Sequence, residues 1–134
     1  MLNKTINLLV FSLTLTAVLH FLFLRFDSYY SYSWIDIPVH FLGGVVIASL
    51  YFWLASFVPK LSQPTWSRML AVIMVVGIGW ELWEVFVGAA DMSKFDYASD
   101  TLQDMINDTL GALAVWYWYV NISNKHNSET VCQK

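Results

Sequence analysis

Four apolar stretches divide this chain, and each is long enough to form a membrane-spanning helix. The first runs from about Ile6 to Leu24, close to the roughly 20 residues that cross a hydrocarbon core. The pattern predicts further helices over about 36–58, 68–88 and 101–119. We therefore predict an all-α fold, an integral membrane bundle of four transmembrane helices over residues 1–124, followed by a polar, disordered tail at 125–134.

The composition supports the membrane class. Hydrophobic residues make up 57% of the chain and charged residues 13%, whereas about a quarter of the residues in an ordinary soluble domain are charged. Cys132 is the only cysteine, so no intrachain disulfide can form. The sequence has no basic patch of the kind that binds nucleic acid, and we expect no nucleic-acid partner.

The positive charges of the loops predict an orientation, because cytoplasmic loops are richer in lysine and arginine than outer loops. In a four-span arrangement, Arg25 and Lys94 fall on one side. The basic residues on the side of the termini are Lys4, Lys60, Arg68, Lys125 and Lys134. We expect a multi-pass protein of the bacterial inner (plasma) membrane, with both termini cytoplasmic and the loop at 89–99 outside.

Acidic side chains interrupt three of the predicted helices. A carboxylate at membrane depth costs roughly 2.5 to 3.5 kcal/mol on insertion scales, so it needs a metal, a proton or a counter-charge. Residues one turn apart share a helix face, and the acidic residues form stripes at this spacing. In chain order, the stripes are Asp36 with His40, Glu81 with Glu84, and Asp104 with Asn107 and Asp108.

The three stripes lie at matching depth in the predicted topology. Consecutive helices run in opposite directions, so the spacing within one helix does not by itself produce this agreement. The residues near the outer face are Asp36, Glu84 and Asp104, and those about one turn deeper are His40, Glu81 and Asp108. We predict that these side chains converge in one acidic pocket at the outer leaflet, with Asn107 as a neutral hydrogen-bonding neighbour.

The chemistry of this pocket suits a divalent cation. Oxygen-rich ligands with one imidazole favour Mg²⁺, Mn²⁺ or Ca²⁺, and a histidine with two carboxylates suits Zn²⁺ or Fe²⁺. The expected metal ligands are Asp36, His40, Glu84, Asp104 and Asp108. Glu81 lies deeper, between Trp80 and Trp83, and is the candidate catalytic residue, acting as a proton acceptor. The identity of the metal stays open. Two alternatives to a metal site also stay open, a protonated, hydrogen-bonded carboxyl network and a purely structural outer vestibule.

Short motifs resemble those of a known group of membrane proteins. They are Ile37-Pro38-Val39-His40-Phe41 at the start of the second helix, Glu84 on the third, and Asp104-x-x-Asn107-x-x-x-Gly111 on the fourth. Their order and placement, over about Asp36 to Ala112, are similar to the small VanZ-like membrane proteins and their YjdF-like relatives. The paired acids look closer to the YjdF-like branch. The resemblance implies a polytopic cell-envelope protein, and glycopeptide resistance is known for some members.

Two classes of function stay open. The first is a metal-dependent enzyme, a hydrolase or transferase, that acts at the outer leaflet on a lipid-linked or other envelope substrate. The second is a non-catalytic membrane protein whose acidic pocket binds a cation, relays protons or docks a partner helix. Membrane lipid is a partner in either class, while the substrate and the oligomeric state stay open.

Overall fold

The chain folds into helices throughout the part that the structure describes. The computed structural model describes residues 2–26, 33–61, 64–88, 90, 92–93 and 95–132. Its α-helices are α1 Leu2–Arg25, α2 Asp36–Ala55, α3 Trp66–Val87 and α4 Tyr97–Cys132, with short 3₁₀ turns at Ser33–Ile35 and Pro59–Leu61. The predicted all-α class is confirmed. Most of the predicted connector at 25–34, together with Asp91 and Lys94, lies outside the described residues.

Among the described helices, three are long and apolar enough to cross a membrane, namely Asn3–Arg25, Asp36–Ala55 and Trp66–Val87. This is the architecture of a multi-pass membrane protein. The helix α4 is not among these candidate spans, and it carries three aspartates in its first half. Membrane crossing by α4 therefore stays a prediction.

Two helix ends differ from the prediction because local hydrogen bonds set them. Helix α2 ends at Ala55, three residues before the expected Val58, and the Oγ of Ser56 donates to the carbonyl of Trp53 at 2.5 Å. Helix α3 begins at Trp66, two residues before the expected Arg68. There the Oγ1 of Thr65 caps the helix by accepting from the backbone N–H of Arg68 at 3.4 Å.

The last helix is longer than predicted at both ends. It begins at Tyr97, where Asp100 or Thr101 was expected, and the Oγ of Ser99 donates to the Asp96 carbonyl at 2.7 Å in its first turn. It continues to Cys132, so the backbone is helical where the sequence predicts a disordered tail. The division into a membrane domain and a tail at residue 125 stays a prediction.

Helix α2 lies at the centre of the bundle. It packs along extended interfaces with α1 and α4 and also contacts α3, and α3 packs mainly on α4. Helices α2 and α4 run parallel, because His40 meets Asp104 near the start of both helices, and Phe52 stacks on Tyr119 farther along. We name these two levels of the bundle the acidic end, at His40 and Asp104, and the aromatic end, at Phe52 and Tyr119.

Buried positions recur every four residues on the helices around this interface. They are His40, Gly44, Ala48 and Phe52 on α2, Glu81, Gly77, Ile73 and Met69 on α3, and Asp104, Asp108 and Ala112 on α4. Residues four apart lie on one face of a helix, so each helix buries one stripe. Because α3 runs against the other two helices, all three stripes change from polar at the acidic end to apolar at the aromatic end.

Helices α2 and α4 make backbone contact through two glycines. A Cβ atom on Gly44 would overlap the carbonyl oxygen of Asp108, and one on Gly111 would overlap the carbonyl oxygen of Phe41. Small residues allow membrane helices to approach closely in this way. Gly44 therefore serves the close approach of α2 and α4.

Aromatic and apolar side chains close the aromatic end. The rings of Phe52 and Tyr119 stack with their centroids 3.9 Å apart and an interplanar angle of 12°. Trp116 lies beside both Phe52 and Trp66, with ring centroids 5.7 and 5.8 Å away. Met69 packs into the same core and is fully buried. This core joins α2, α3 and α4 and so fixes the positions of their acidic ends.

Candidate functional site

His40 is at the centre of the acidic end. Its side chain is 6% exposed and has a carboxylate beside each ring nitrogen. The Nε2 atom lies 3.6 Å from Oδ1 of Asp36 and 3.8 Å from Oδ1 of Asp104. The Nδ1 atom lies 3.6 Å from Oδ2 of Asp108. The predicted i and i+4 pairs of α2 and α4 therefore do come together.

The group around His40 has an excess of negative charge. Three carboxylates surround one imidazole, so a protonated ring balances at most one of three ionised carboxylates. An unbalanced charge is costly in a buried site between membrane helices. A bound cation or additional protons would supply the missing balance.

Asp36, His40 and Asp104 could hold a metal ion. One ligand atom from each lies within 4.8 Å of the other two. The Oδ1 atom of Asp104, a residue that is only 3% exposed, has no hydrogen-bond partner in the described part of the chain. Buried polar atoms are normally satisfied, and a cation bound between this oxygen and the imidazole would satisfy it.

Asp108 is held between glycines of two neighbouring helices. A Cβ atom on Gly43 of α2 would lie 3.2 Å from its Oδ1 atom, and one on Gly77 of α3 would lie 3.2 Å from its Oδ2 atom. Its main chain lies against Gly44. A larger residue at either glycine would crowd the carboxylate, and at Gly77 it would first overlap the side chain of Met105.

Glu81 of α3 is buried at the same end of the bundle. Its Oε2 atom accepts a hydrogen bond of 2.7 Å from Oγ1 of Thr101 on α4, and its Oε1 atom has no partner among the described residues. Gly77, which borders the Asp108 carboxylate, lies one turn from Glu81 on α3. Glu81 and Asp108 therefore face the same side of the bundle.

Glu84 is directed toward a tryptophan. Its Oε1 atom accepts a hydrogen bond of 2.8 Å from Nε1 of Trp80. The Trp80 ring in turn meets the ring of His20 on α1 edge-on, with centroids 6.3 Å apart. Glu84 is half-buried and does not belong to the group of Asp36, His40 and Asp104 that could hold a metal. Its predicted role as a metal ligand stays a prediction.

Asn107, the expected neutral neighbour, is buried on the α4 face that carries Asp104 and Asp108. Its Nδ2 atom has no hydrogen-bond partner within the described ranges. The acidic end thus contains an unpaired amide donor as well as the unpaired oxygens of Asp104 and Glu81. A polar ligand could pair with both kinds of group.

The sequence prediction missed three residues that shape the acidic end. Thr101 donates a hydrogen bond to Glu81, Gly77 lies beside the Asp108 carboxylate, and Trp80 donates a hydrogen bond to Glu84. Each lies one helical turn from a residue that was predicted. Extending the three polar stripes by one turn would have identified them.

Comparisons with known proteins agree with the pattern of apolar helices. No curated protein and no solved structure gives a significant match to the chain. A family model matches residues 3–125, a range that includes all the residues of the acidic end. The chain belongs to the family described as "Predicted membrane protein (DUF2238)".

Proposed function

We propose that the chain is a four-span cell-envelope protein, similar to the VanZ-like and YjdF-like proteins, whose acidic end faces the outside of the bacterial inner membrane. The position of α4 supports a fourth span, because α4 lies beside the apolar helix α2 from Asp104 to Tyr119. Asp104 and Asp108 are buried in the bundle, so α4 can lie in the bilayer without presenting them to lipid.

The topology can be tested by cysteine labelling from either side of the membrane. The native Cys132 is first replaced by serine, and single cysteines are then introduced at Ser93 and Ser128. We expect a membrane-impermeant reagent to label position 93 in intact cells and position 128 only after the membrane is opened. Labelling of both positions from the same side would contradict the four-span arrangement.

The function that the acidic end supports best is that of a divalent-metal-dependent hydrolase or transferase. The observation that carries this proposal is the buried group of Asp36, His40 and Asp104, in which an aspartate oxygen lacks a hydrogen-bond partner among the described residues. Mg²⁺, Mn²⁺, Ca²⁺ and Zn²⁺ all accept carboxylate and imidazole ligands. When bound by these residues, such an ion would polarise a phosphoryl or carbonyl oxygen of a substrate.

Glu81 is the proposed proton acceptor. Thr101 holds one of its oxygens, and the other oxygen has no partner in the described part of the chain and can take a proton from water or from a substrate hydroxyl. The substrate would be a lipid-linked or other envelope molecule that reaches the acidic end from the outer leaflet. Glu84 would join the ligands only after its hydrogen bond to Trp80 is broken.

A non-catalytic role is the second candidate, and the surroundings of His40 favour it. Both ring nitrogens already face carboxylates, so a protonated ring with partly protonated aspartates forms a network that needs no metal. A network of this kind suits proton relay or the docking of a polar partner helix. Metal binding, measured separately from turnover, distinguishes the two candidates.

Elemental analysis of the purified protein tests the proposed metal site. We expect wild type to retain a divalent metal in stoichiometric amount and Asp104→Asn to lose it. Glu81→Gln should retain the metal while losing any turnover. The matched control is Asp96→Asn, which removes the same charge from an exposed position outside the group around His40. Negligible metal in wild type and in all variants would count against the enzyme and favour the second candidate.

A further inference from the structure

Asp108 differs from the other two carboxylates around His40 in the ring nitrogen that it faces. Asp36 and Asp104 lie beside Nε2, whereas Asp108 lies beside Nδ1 at 3.6 Å. The two nitrogens of an imidazole point away from each other across the ring. An ion bound to one nitrogen can therefore be coordinated only by carboxylates on the same side of the ring. The carboxylate beside the other nitrogen remains outside the coordination sphere.

The Nε2 side has the features of a binding position. Asp36 and Asp104 come from different helices, so they approach the nitrogen from two directions. Their ligand atoms and that of His40 form a compact set, and Oδ1 of Asp104 is buried without a hydrogen-bond partner in the described ranges. Asp36 lies in the first turn of α2 and is partly exposed, which leaves a path for an ion to enter.

The Nδ1 side has the features of a fixed support. The Asp108 carboxylate lies beside Gly43 of α2 and Gly77 of α3, where a Cβ atom added at either position would lie 3.2 Å from one of its oxygens. Its own main chain is fixed against Gly44 at the crossing of α2 and α4. The Asp108 carboxylate thus lies on the Nδ1 side of the ring, and a small rotation of the ring would bring Nδ1 within the roughly 3.2 Å of a hydrogen bond.

We infer that His40 binds the cation through Nε2, together with Asp36 and Asp104, and that Asp108 is a positioning residue which accepts a hydrogen bond from the Nδ1–H group. This inference rests on the proposed metal site and assigns the roles within it. A carboxylate at the second nitrogen of a histidine ligand fixes the tautomer and the orientation of the ring and makes the ligand more basic. Asp108, predicted from the sequence as a ligand, supports the ligand instead.

Nuclear magnetic resonance with ¹¹³Cd²⁺ as the bound ion tests this assignment. The full chain is labelled with ¹⁵N-histidine, loaded with ¹¹³Cd²⁺ in detergent micelles, and compared with His40→Gln to assign His40 among the three histidines. We expect a one-bond cadmium coupling at Nε2 of His40 and a protonated Nδ1. The near-isosteric Asp108→Asn keeps an acceptor oxygen and should retain this pattern, whereas Asp108→Leu should lose the fixed tautomer.

Cadmium titrations of the same proteins give a second measurement. Loss of a supporting carboxylate typically lowers metal affinity by about 10- to 100-fold, and we expect that loss for Asp108→Leu. A smaller loss is expected for Asp108→Asn, and the largest for Asp104→Asn, which removes a ligand. As a control, thermal unfolding in the absence of metal will test whether each variant is folded.

The outcomes separate this inference from the proposed metal site. Coupling at Nδ1, or loss of the coupling in Asp108→Asn to the same degree as in Asp104→Asn, would make Asp108 a ligand and overturn the inference while leaving the metal site. Wild-type affinity in Asp108→Leu would also overturn it. No coupling at either nitrogen in wild type would contradict the metal site itself, and the inference with it.

Discussion

The two ends of the α2–α4 interface are built from the same pair of helices but differ in what holds them together. At the aromatic end, Phe52 and Tyr119 stack at 3.9 Å beside a core of buried apolar side chains. At the acidic end, His40, Asp104 and Asp108 are equally buried, yet their atoms lie 3.6 to 3.8 Å apart, beyond hydrogen-bonding distance.

This difference separates the part of the interface that stabilises the fold from the part that we propose binds a ligand. Lipid tails are as apolar as the helices, so packing contacts and polar bonds hold a membrane bundle together. The aromatic end supplies close packing, and the glycine crossing at Gly44 and Gly111 brings the two backbones together. The acidic end has more carboxylates than positively charged groups to balance them. This excess is unfavourable for stability unless a ligand binds there.

The largest effect on stability is expected at the glycine crossing of α2 and α4, where one substitution disturbs the packing of both the acidic end and the aromatic end. In Gly44→Ala, the added methyl group overlaps the Asp108 carbonyl, so α2 and α4 must separate. We expect a loss of about 3 kcal/mol in the free energy of unfolding. Thermal unfolding in detergent measures it, with Gly79→Ala as control, since nothing lies within 4 Å of a Cβ at Gly79. Equal stability of both variants would contradict the close crossing.

The next effect concerns the acidic end alone. A divalent ion present at 100 times its dissociation constant should stabilise wild type by about 2.7 kcal/mol. Asp104→Asn should lose this stabilisation, while its metal-free stability should be unchanged or slightly higher because a surplus charge is removed. Thermal unfolding with and without Mn²⁺ measures both quantities. If the exposed control Asp96→Asn loses the stabilisation as well, the effect is not specific to the buried group.

A comparable effect is expected at the aromatic end alone. Phe52→Ala removes the stack with Tyr119 and leaves a cavity, and in a bilayer only the packing part of the usual loss applies. We expect a loss of about 2 kcal/mol in the free energy of unfolding, with unchanged metal content per folded molecule. The matched control is Phe86→Ala, whose ring is 81% exposed and should contribute little. Loss of metal in the folded Phe52→Ala protein would show that the two ends are not independent.

The smallest effect on stability is expected for two buried serines away from the acidic end, one with a hydrogen-bonded hydroxyl group and one without. The Oγ of Ser49 is fully buried and has no hydrogen-bond partner in the described residues, whereas the Oγ of Ser12 donates to the Leu9 carbonyl at 3.1 Å. We expect Ser49→Ala to gain up to about 1 kcal/mol and Ser12→Ala to lose about 0.5 kcal/mol. Urea titration in detergent would measure both, and the opposite order would mean that Ser49 has a partner.

The helices and the convergence of His40 with the aspartates could be predicted from the sequence. Apolar length identifies α1, α2 and α3. The i and i+4 spacing with matching depth brings Asp36, His40 and Asp104 together, because a polar stripe that must avoid lipid turns into the bundle. These inferences depend on apolar length, helical periodicity and matching depth, and the structure agrees with them.

The choice of partners within the acidic end could not be predicted in the same way. The position of Glu84 on α3 allows its side chain to turn either toward His40 or toward a residue of its own helix. The hydrogen bond from Trp80 directs it toward its own helix. Which nitrogen of His40 faces Asp108 depends on how α2 and α4 pack against each other, and the spacing within either helix does not contain this information. Helix ends such as Ala55 depend on single hydrogen bonds that periodicity does not contain.

Anomalous scattering from crystals of the full chain soaked in Mn²⁺ tests the central claim, that the acidic end is a cation site, most directly. We predict an anomalous peak on the Nε2 side of His40, within bonding distance of Asp36 and Asp104, and no peak there in Asp104→Asn crystals soaked in the same way. A wild-type map with no peak beside His40, at a Mn²⁺ concentration that labels other carboxylates on the surface, would contradict the account.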